Sequence, residues 1–203
     1  MVGSFCFWGA RTRVQPASML INQFDIKLMI GKNIWLVGFI SVALLCDRAA
    51  HAFPLSNGDE VQCHFSHGGK EGVATEIWNS YQTPEDRNPE LGRAVAVMRL
   101  DADGWPTIII DAEAHKRNAK GSPAIWDFVY FHECAHAQNP SLGEIEANCV
   151  AYKEMDRRGL MNFHRMKDLE TVHLSMLMLP EEYGGSGLKL WHKTLECARK
   201  SDS

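Results

Sequence analysis

Apolar positions change their spacing several times along this chain, and each change marks an element. Ala94–Leu100 and Trp105–Asp111 carry apolar runs of strand length, the second with Ile108, Ile109 and Ile110 in succession. Asp101-Ala102-Asp103-Gly104 turns the chain between them, so the pair reads as a β-hairpin. An unbroken apolar run of that kind is buried on both faces or lies beside a helix. Downstream the period becomes helical. Ser122-Pro123 opens a helix, with Ser as N-cap and Pro in the first turn, and Asn139-Pro140 ends it after Gln138. A second helix runs from about Leu142 to Arg158, with Gly159 at its C-terminal cap. Asn162–Met178 and Leu188–Arg199 are two further helical patterns, separated by the glycine-rich segment Pro180–Gly187. Upstream the signals are weaker: Glu60–Phe65 reads as a short strand, Val73–Tyr81 as a short helix and Ala112–Gly121 as a polar connector. The sum is an α+β chain, a small antiparallel sheet with a helical majority.

The first 52 residues have a different texture. Ile34–Cys46 is a charge-free run of the length of a signal-peptide core, too short for a comfortable membrane span. Lys32 precedes it, and Ala50-His51-Ala52 follows as a small-x-small cleavage site. Cleavage after Ala52 makes Phe53 the mature N-terminus, and Met29 offers an alternative start codon. The expected organisation is therefore a leader over 1–52 and one domain over 53–203, periplasmic or secreted, with no stable membrane span once the leader is removed. Cleavage takes five basic and two acidic residues from the total and moves the formal charge from −4 to −7. With no run of Lys and Arg, nucleic acid is not an expected partner.

Four of the six cysteines survive cleavage: Cys63, Cys134, Cys149 and Cys197. An even count in an oxidising compartment points to two disulfides. The favoured pairing is Cys134–Cys149, joining two helices, with Cys63–Cys197 tying the ends of the domain.

The chemistry concentrates in Phe131–His136, which reads FHECAH. On a helical wheel Ile125, Phe128, Val129, His132, Ala135 and His136 share one stripe, with Glu133 at its edge. Two imidazoles and a carboxylate on a core-facing stripe are costly unless something pairs them, and a divalent cation does so. The third ligand comes from the next helix. Glu144 and Glu146 are about 200° apart there, so only one can face the ion, and Glu146 points further towards solvent. Glu144 is the assigned ligand, although a first-turn acid is also favoured by the helix dipole alone. Asn148 lies about 40° from Glu144, placed to bond a ligand imidazole or the Glu144 carboxylate. Two histidines four apart plus a carboxylate form the ligand set of a catalytic Zn2+ (zinc) site, with water in the fourth position and Glu133 as general base. His115, Tyr152, His173, Tyr183 and His192 are candidates to assist a developing oxyanion. His64 and His67 form a weaker metal-like pair in a glycine-rich segment.

His132-Glu133-Cys134-Ala135-His136 followed by Glu144-Ile145-Glu146-Ala147-Asn148 resembles the gluzincin metallopeptidases, whose signature is HExxH with E-x-x-A-[D/N] on the next helix. The ending in Asn is nearer to the ImmA/IrrE group than to HtpX-like peptidases, and the gap from His136 to Glu144 is shorter than in the latter. The likeness covers Thr107–Tyr152. It implies a zincin-like core, hydrolysis of a peptide or protein substrate, and an edge strand ahead of the metal helix that pairs with the substrate: here Thr107, Ile108, Ile109 and Ile110. The rival expectation is an exported, non-enzymatic metal-binding or disulfide-stapled interaction module.

Overall fold

The computed structural model describes residues 52–118 and 121–200. The leader expectation for 1–51 lies outside the described residues. Short strands β1 (Phe53–Pro54) and β2 (Glu60–Val61) pair with each other, and β3 (His64–His67) pairs with β4 (Lys70–Val73) in a hairpin. The main sheet has three strands, β5 (Thr75–Asn79), β6 (Ala96–Leu100) and β7 (Pro106–Asp111). Five helices follow: α1 (Ala112–Asn118), α2 (Pro123–Gln138), α3 (Glu144–Arg157), α4 (Phe163–Ser175) and α5 (Gly187–Arg199). The chain is thus mixed α and β with small sheets and a large helical share. No helix among the described residues is long and apolar enough to cross a membrane.

The sheet order is β5-β7-β6, with β5 parallel and β6 antiparallel to β7. This corrects the expected substrate edge. Thr107, Ile108, Ile109 and Ile110 lie in the central strand, hydrogen-bonded on both sides, and Ile108–Ile110 are buried. The cause is β5, which occupies the place that would have left β7 open. Its residues read as helical because the strand inverts the usual pattern, burying Glu76 and exposing Ile77. The inversion is compensated from α2, whose Tyr130 hydroxyl donates to Glu76 at 2.8 Å. The expected polar connector is α1. Asp111 caps it by accepting from the Ala114 amide at 2.7 Å, and also accepts from Arg87 and Tyr81.

α2 is the hub. From Ala124 to Ala137 only Ile125 keeps appreciable exposure, so the helix is enclosed on nearly every side rather than along one stripe. β6, β7 and β3 flank it, and α3 and α4 pack on the remaining faces. Such a helix is apolar around its circumference because each face meets a different neighbour. Phe53 stacks on Tyr130 with ring centroids 4.3 Å apart, which fixes the first strand against the hub.

Two disulfides are present among the described residues, but the pairing differs from expectation: Cys63–Cys134 joins the segment after β2 to α2, and Cys149–Cys197 joins α3 to α5. Cys134 is two positions past His132, about 200° round the helix, so it faces away from α3. A bridge between α2 and α3 would need the face that the histidines occupy. Two disulfides are compatible with an oxidising, extracellular compartment.

Gly187 marks the closest backbone approach. Its amide donates to Met176 at 2.8 Å, and a Cβ there would lie 1.7 Å from the His173 carbonyl oxygen. Only glycine lets the start of α5 meet the end of α4, and this contact sets the position of His173.

Glu76 makes stability depend on pH. One of its carboxylate oxygens is sealed without a hydrogen-bond partner, and burial, only partly offset by Tyr130, pushes its pKa up to about 7. The unfolded chain loses this proton near the ordinary value of 4.5, the folded chain only near 7. Stability from this group is therefore full below pH 4.5 and falls as pH rises through 7, by on the order of 3 kcal/mol. Glu76→Gln should flatten the difference between thermal midpoints measured at pH 5 and pH 8; an unchanged difference would assign it to other groups.

Candidate metal centre

The turn between α2 and α3 is short and locally satisfied. Asn139 accepts from the Ser141 amide and hydroxyl, and the Leu142 amide bonds the Asn139 carbonyl. It folds the helices into an antiparallel pair and brings the first turn of α3 opposite the last turns of α2. Glu144, the first residue of α3, then faces both histidines. Its Oε2 lies 3.2 Å from His132 Nε2 and 3.5 Å from His136 Nε2.

The donor set fits a metal ion. His132, His136 and Glu144 each offer one ligand atom, and all three atoms lie within 4.8 Å of one another. Ligands about 2.0–2.1 Å from a tetrahedral ion stand roughly 3.3–3.4 Å apart. The two imidazole–carboxylate separations, 3.2 and 3.5 Å, straddle that value. Both histidines are buried. His132 Nδ1 lies 2.8 Å from the Asn148 amide oxygen, which can only accept, so Nδ1 carries the proton and Nε2 is left to face Glu144. Unless Nε2 takes a second proton, it meets the carboxylate as acceptor to acceptor, and a cation reconciles the two. In the alternative state, with imidazoles protonated towards Glu144, burial raises the pKa of this carboxyl but hydrogen bonds and charge from His132 and His136 lower it by more, to about 2.

Glu133 lies one residue beyond the first ligand and is buried. Its Oε2 accepts from the Met98 amide at 2.7 Å, a bond from the free edge of β6. The strand thereby orients the carboxylate and leaves its other oxygen for a different partner. Sequence reasoning missed this role of β6. The signal was present, since a hairpin with one fully apolar strand places its other strand nearer an edge.

Other site candidates sort plainly. Asn148 is fully buried and bonded to His132, as the wheel suggested. Glu146 is exposed, its carboxylate folded over Gly143. Cys134 sits inside the histidine motif but is bound to Cys63. Among the described residues His64 and His67 join no metal-competent cluster. Of the five oxyanion candidates, only His173 lines the crevice beside His132 and Glu133. Burial pushes its pKa down to about 4, so it is neutral at physiological pH. Its Nδ1 lies 2.7 Å from the Leu169 carbonyl and must be the protonated nitrogen, which leaves Nε2 an acceptor. A neutral imidazole in that tautomer cannot donate to an oxyanion. His115 is packed among Phe53, Trp78 and Trp126, and Tyr152 against Trp191.

The bond from Asn148 should matter for affinity rather than folding alone. Asn148→Ala removes the acceptor that fixes the His132 tautomer and should weaken metal binding roughly 10–100-fold. Competition with a chromophoric chelator measures this; an unchanged dissociation constant would show that the packing of α2 on α3 orients the ring by itself.

No protein-family model, curated protein or solved structure matches this chain, so what the centre can do is argued from its own atoms.

Proposed function

We propose that the protein is an exported zinc metallopeptidase of gluzincin type. The observation that carries this reading is the convergence of His132 Nε2, His136 Nε2 and Glu144 Oε2 on one buried point, with the Glu133 carboxylate held beside it. A purely structural metal site has no use for a fourth group, here a second carboxylate, that is not a ligand. Zinc suits two imidazoles and one carboxylate, and three protein ligands leave a position open.

Bound there, zinc would polarise a scissile carbonyl and lower the pKa of a water towards neutrality. The chain supplies the rest. Glu133 takes the proton from the attacking water on the oxygen not engaged by Met98, then delivers it to the leaving amine. The Met98 amide keeps that carboxylate from rotating away. Asn148 holds His132 in the tautomer that presents Nε2. Beyond Met98, whose amide is engaged by Glu133, the outer edge of β6 is left to pair with an extended peptide, replacing the strand first expected in that role. The succession of strand β7, helix α2 with the two histidines and helix α3 with Glu144 supports the reading of a zincin-like core. The two disulfides and the cleavable leader read from the sequence support export.

Two variants test the reading. Glu133→Gln should keep stoichiometric zinc, measured by elemental analysis, while peptide cleavage falls by a factor of about 10²–10⁴. Glu144→Ala should lose the metal. Zinc retained without any cleavage by the wild-type protein would favour a non-enzymatic metal-binding module, and cleavage surviving in Glu133→Gln would remove the proposed base.

A further inference from the structure

Phe53, which the leader reading makes the first residue of the mature chain, is enclosed by the fold. It is 1% exposed, while Ala52 before it is half-buried. Its ring is stacked between Trp78, at 5.6 Å, and Tyr130, at 4.3 Å. Chain termini ordinarily lie at the surface. Cleavage after Ala52 turns the Phe53 amide into an ammonium at an enclosed position, and a charge there needs a partner.

The backbone register shows where that nitrogen points. β1 pairs Phe53 with Val61, and two positions on the Leu55 amide donates to the Asp59 carbonyl at 2.8 Å. Hydrogen-bonded pairs alternate along an antiparallel ladder, so the Phe53 nitrogen addresses the Val61 carbonyl. That same oxygen lies 3.3 Å from the Tyr130 hydroxyl, which donates to Glu76 Oε1 at 2.8 Å. The nitrogen and the Glu76 carboxylate are therefore three hydrogen-bond lengths apart, ~9 Å end to end and closer along a bent path. Glu76 is 5% exposed, and its Oε2 is sealed without a hydrogen-bond partner. The other titratable groups around the cluster are engaged elsewhere. Asp127 accepts from the Ser56 amide and hydroxyl and lies 3.8 Å from Arg165. His115, edge-on to Phe53 and Trp78, has its pKa lowered by burial. The charge of Arg158 acts on Tyr130.

We propose that Glu76 is an internal binding site for the chain's own α-ammonium, which leader removal after Ala52 creates at Phe53 and which pairs with the buried carboxylate across Val61 and Tyr130. The inference rests on the leader reading and is independent of the metal chemistry. Hydrolysis of the Ala52–Phe53 bond by a leader peptidase consumes one water. Ala52 leaves as a carboxylate and the Phe53 nitrogen ends as –NH3+. In the uncleaved chain burial keeps Glu76 protonated up to about pH 7. The new cation favours the carboxylate, and the carboxylate in turn raises the pKa of the amine. The cost that Glu76 carries at neutral pH thereby becomes an attraction. Tyr130 precedes His132 by two positions on α2, so the pair also steadies the metal helix. The sign of each limb follows from linkage. The amine contributes fully below its unfolded value of about 7.7–8.0 and loses its contribution as pH rises through the raised folded value. Glu76 ends the contribution on the other side, where falling pH protonates it.

The test compares the mature chain beginning at Phe53 with one that keeps Ala50-His51-Ala52 ahead of it. Thermal midpoints are measured from about pH 4 to about pH 10. The Phe53 form should melt about 3–6 °C higher near neutral pH, and this gain should shrink towards both ends of the range. Glu76→Gln should remove that bell-shaped dependence. Competitive acylation read by mass spectrometry needs no variant: the Phe53 amine should hold its proton about tenfold more tightly than an ordinary α-amino group. A gain that does not vary with pH, an amine of ordinary proton affinity, or a bell that survives Glu76→Gln would each overturn the pairing. Mass spectrometry of the full chain after export from an expression host reads the leader separately. Phe53 as first residue supports the maturation step. Any other first residue overturns it, while the Glu133 and Glu144 variants still decide the peptidase reading.

Discussion

Two imidazoles and a carboxylate aimed at one point between α2 and α3 make a contact that the fold cannot hold cheaply. All three groups are screened from water, and with the His132 tautomer set by Asn148 they meet largely as acceptors. Something rigid must keep two helices together across such an interface. The short Asn139–Gly143 turn joins them at one end, and each is anchored from behind. Cys134 ties α2 to the segment after β2, and Cys149 ties α3 to α5. Both bridges leave the metal-facing side of the helix pair untouched. They close 71- and 48-residue separations, each worth roughly 4 kcal/mol by chain entropy. Against a typical net stability of about 5–15 kcal/mol, that is enough to decide whether a costly polar site survives.

The sheet serves the same centre from the other side. β7 is buried on both faces and carries β6, whose free edge reaches Glu133 through the Met98 amide. β5 carries Glu76 to Tyr130, two positions before His132 on the same helix. α2 is thus fixed at Glu133 by one edge strand and at Tyr130 by the other. An enclosed helix with polar groups bonded in several directions has few ways to rotate, and a metal-facing carboxylate needs that restraint.

Much of the centre was legible because its signal is local. The i, i+4 histidines, the helix start at Ser122-Pro123, the stop at Asn139-Pro140 and the position of Glu144 on the next helix all lie within a few turns of chain. What failed depended on residues distant in sequence. The cysteine pairing turned on which helix faces were already taken. β5 was misread because it buries a carboxylate and exposes an isoleucine, a pattern that makes sense only beside Tyr130. α1 was hidden by its polarity, although Asp111 ahead of an Ala-rich segment was a cap in plain view. The edge-strand assignment failed against its own signal: three consecutive isoleucines describe a strand covered on both faces, and such a strand belongs in the middle.

The same geometry separates folding from metal binding. In small zinc modules the ion supplies most of the folding energy, and the site forms only with it. Here the helices that carry His132, His136 and Glu144 are closed on their other faces by disulfides and apolar packing, so the scaffold itself can bear the cost of bringing the three groups together. A cation taken up there would relieve that cost, and its binding energy would go into affinity rather than assembly. Glu133, the acidic group beside this cluster, is held to the side by a backbone amide and is not among the three groups that could ligate an ion.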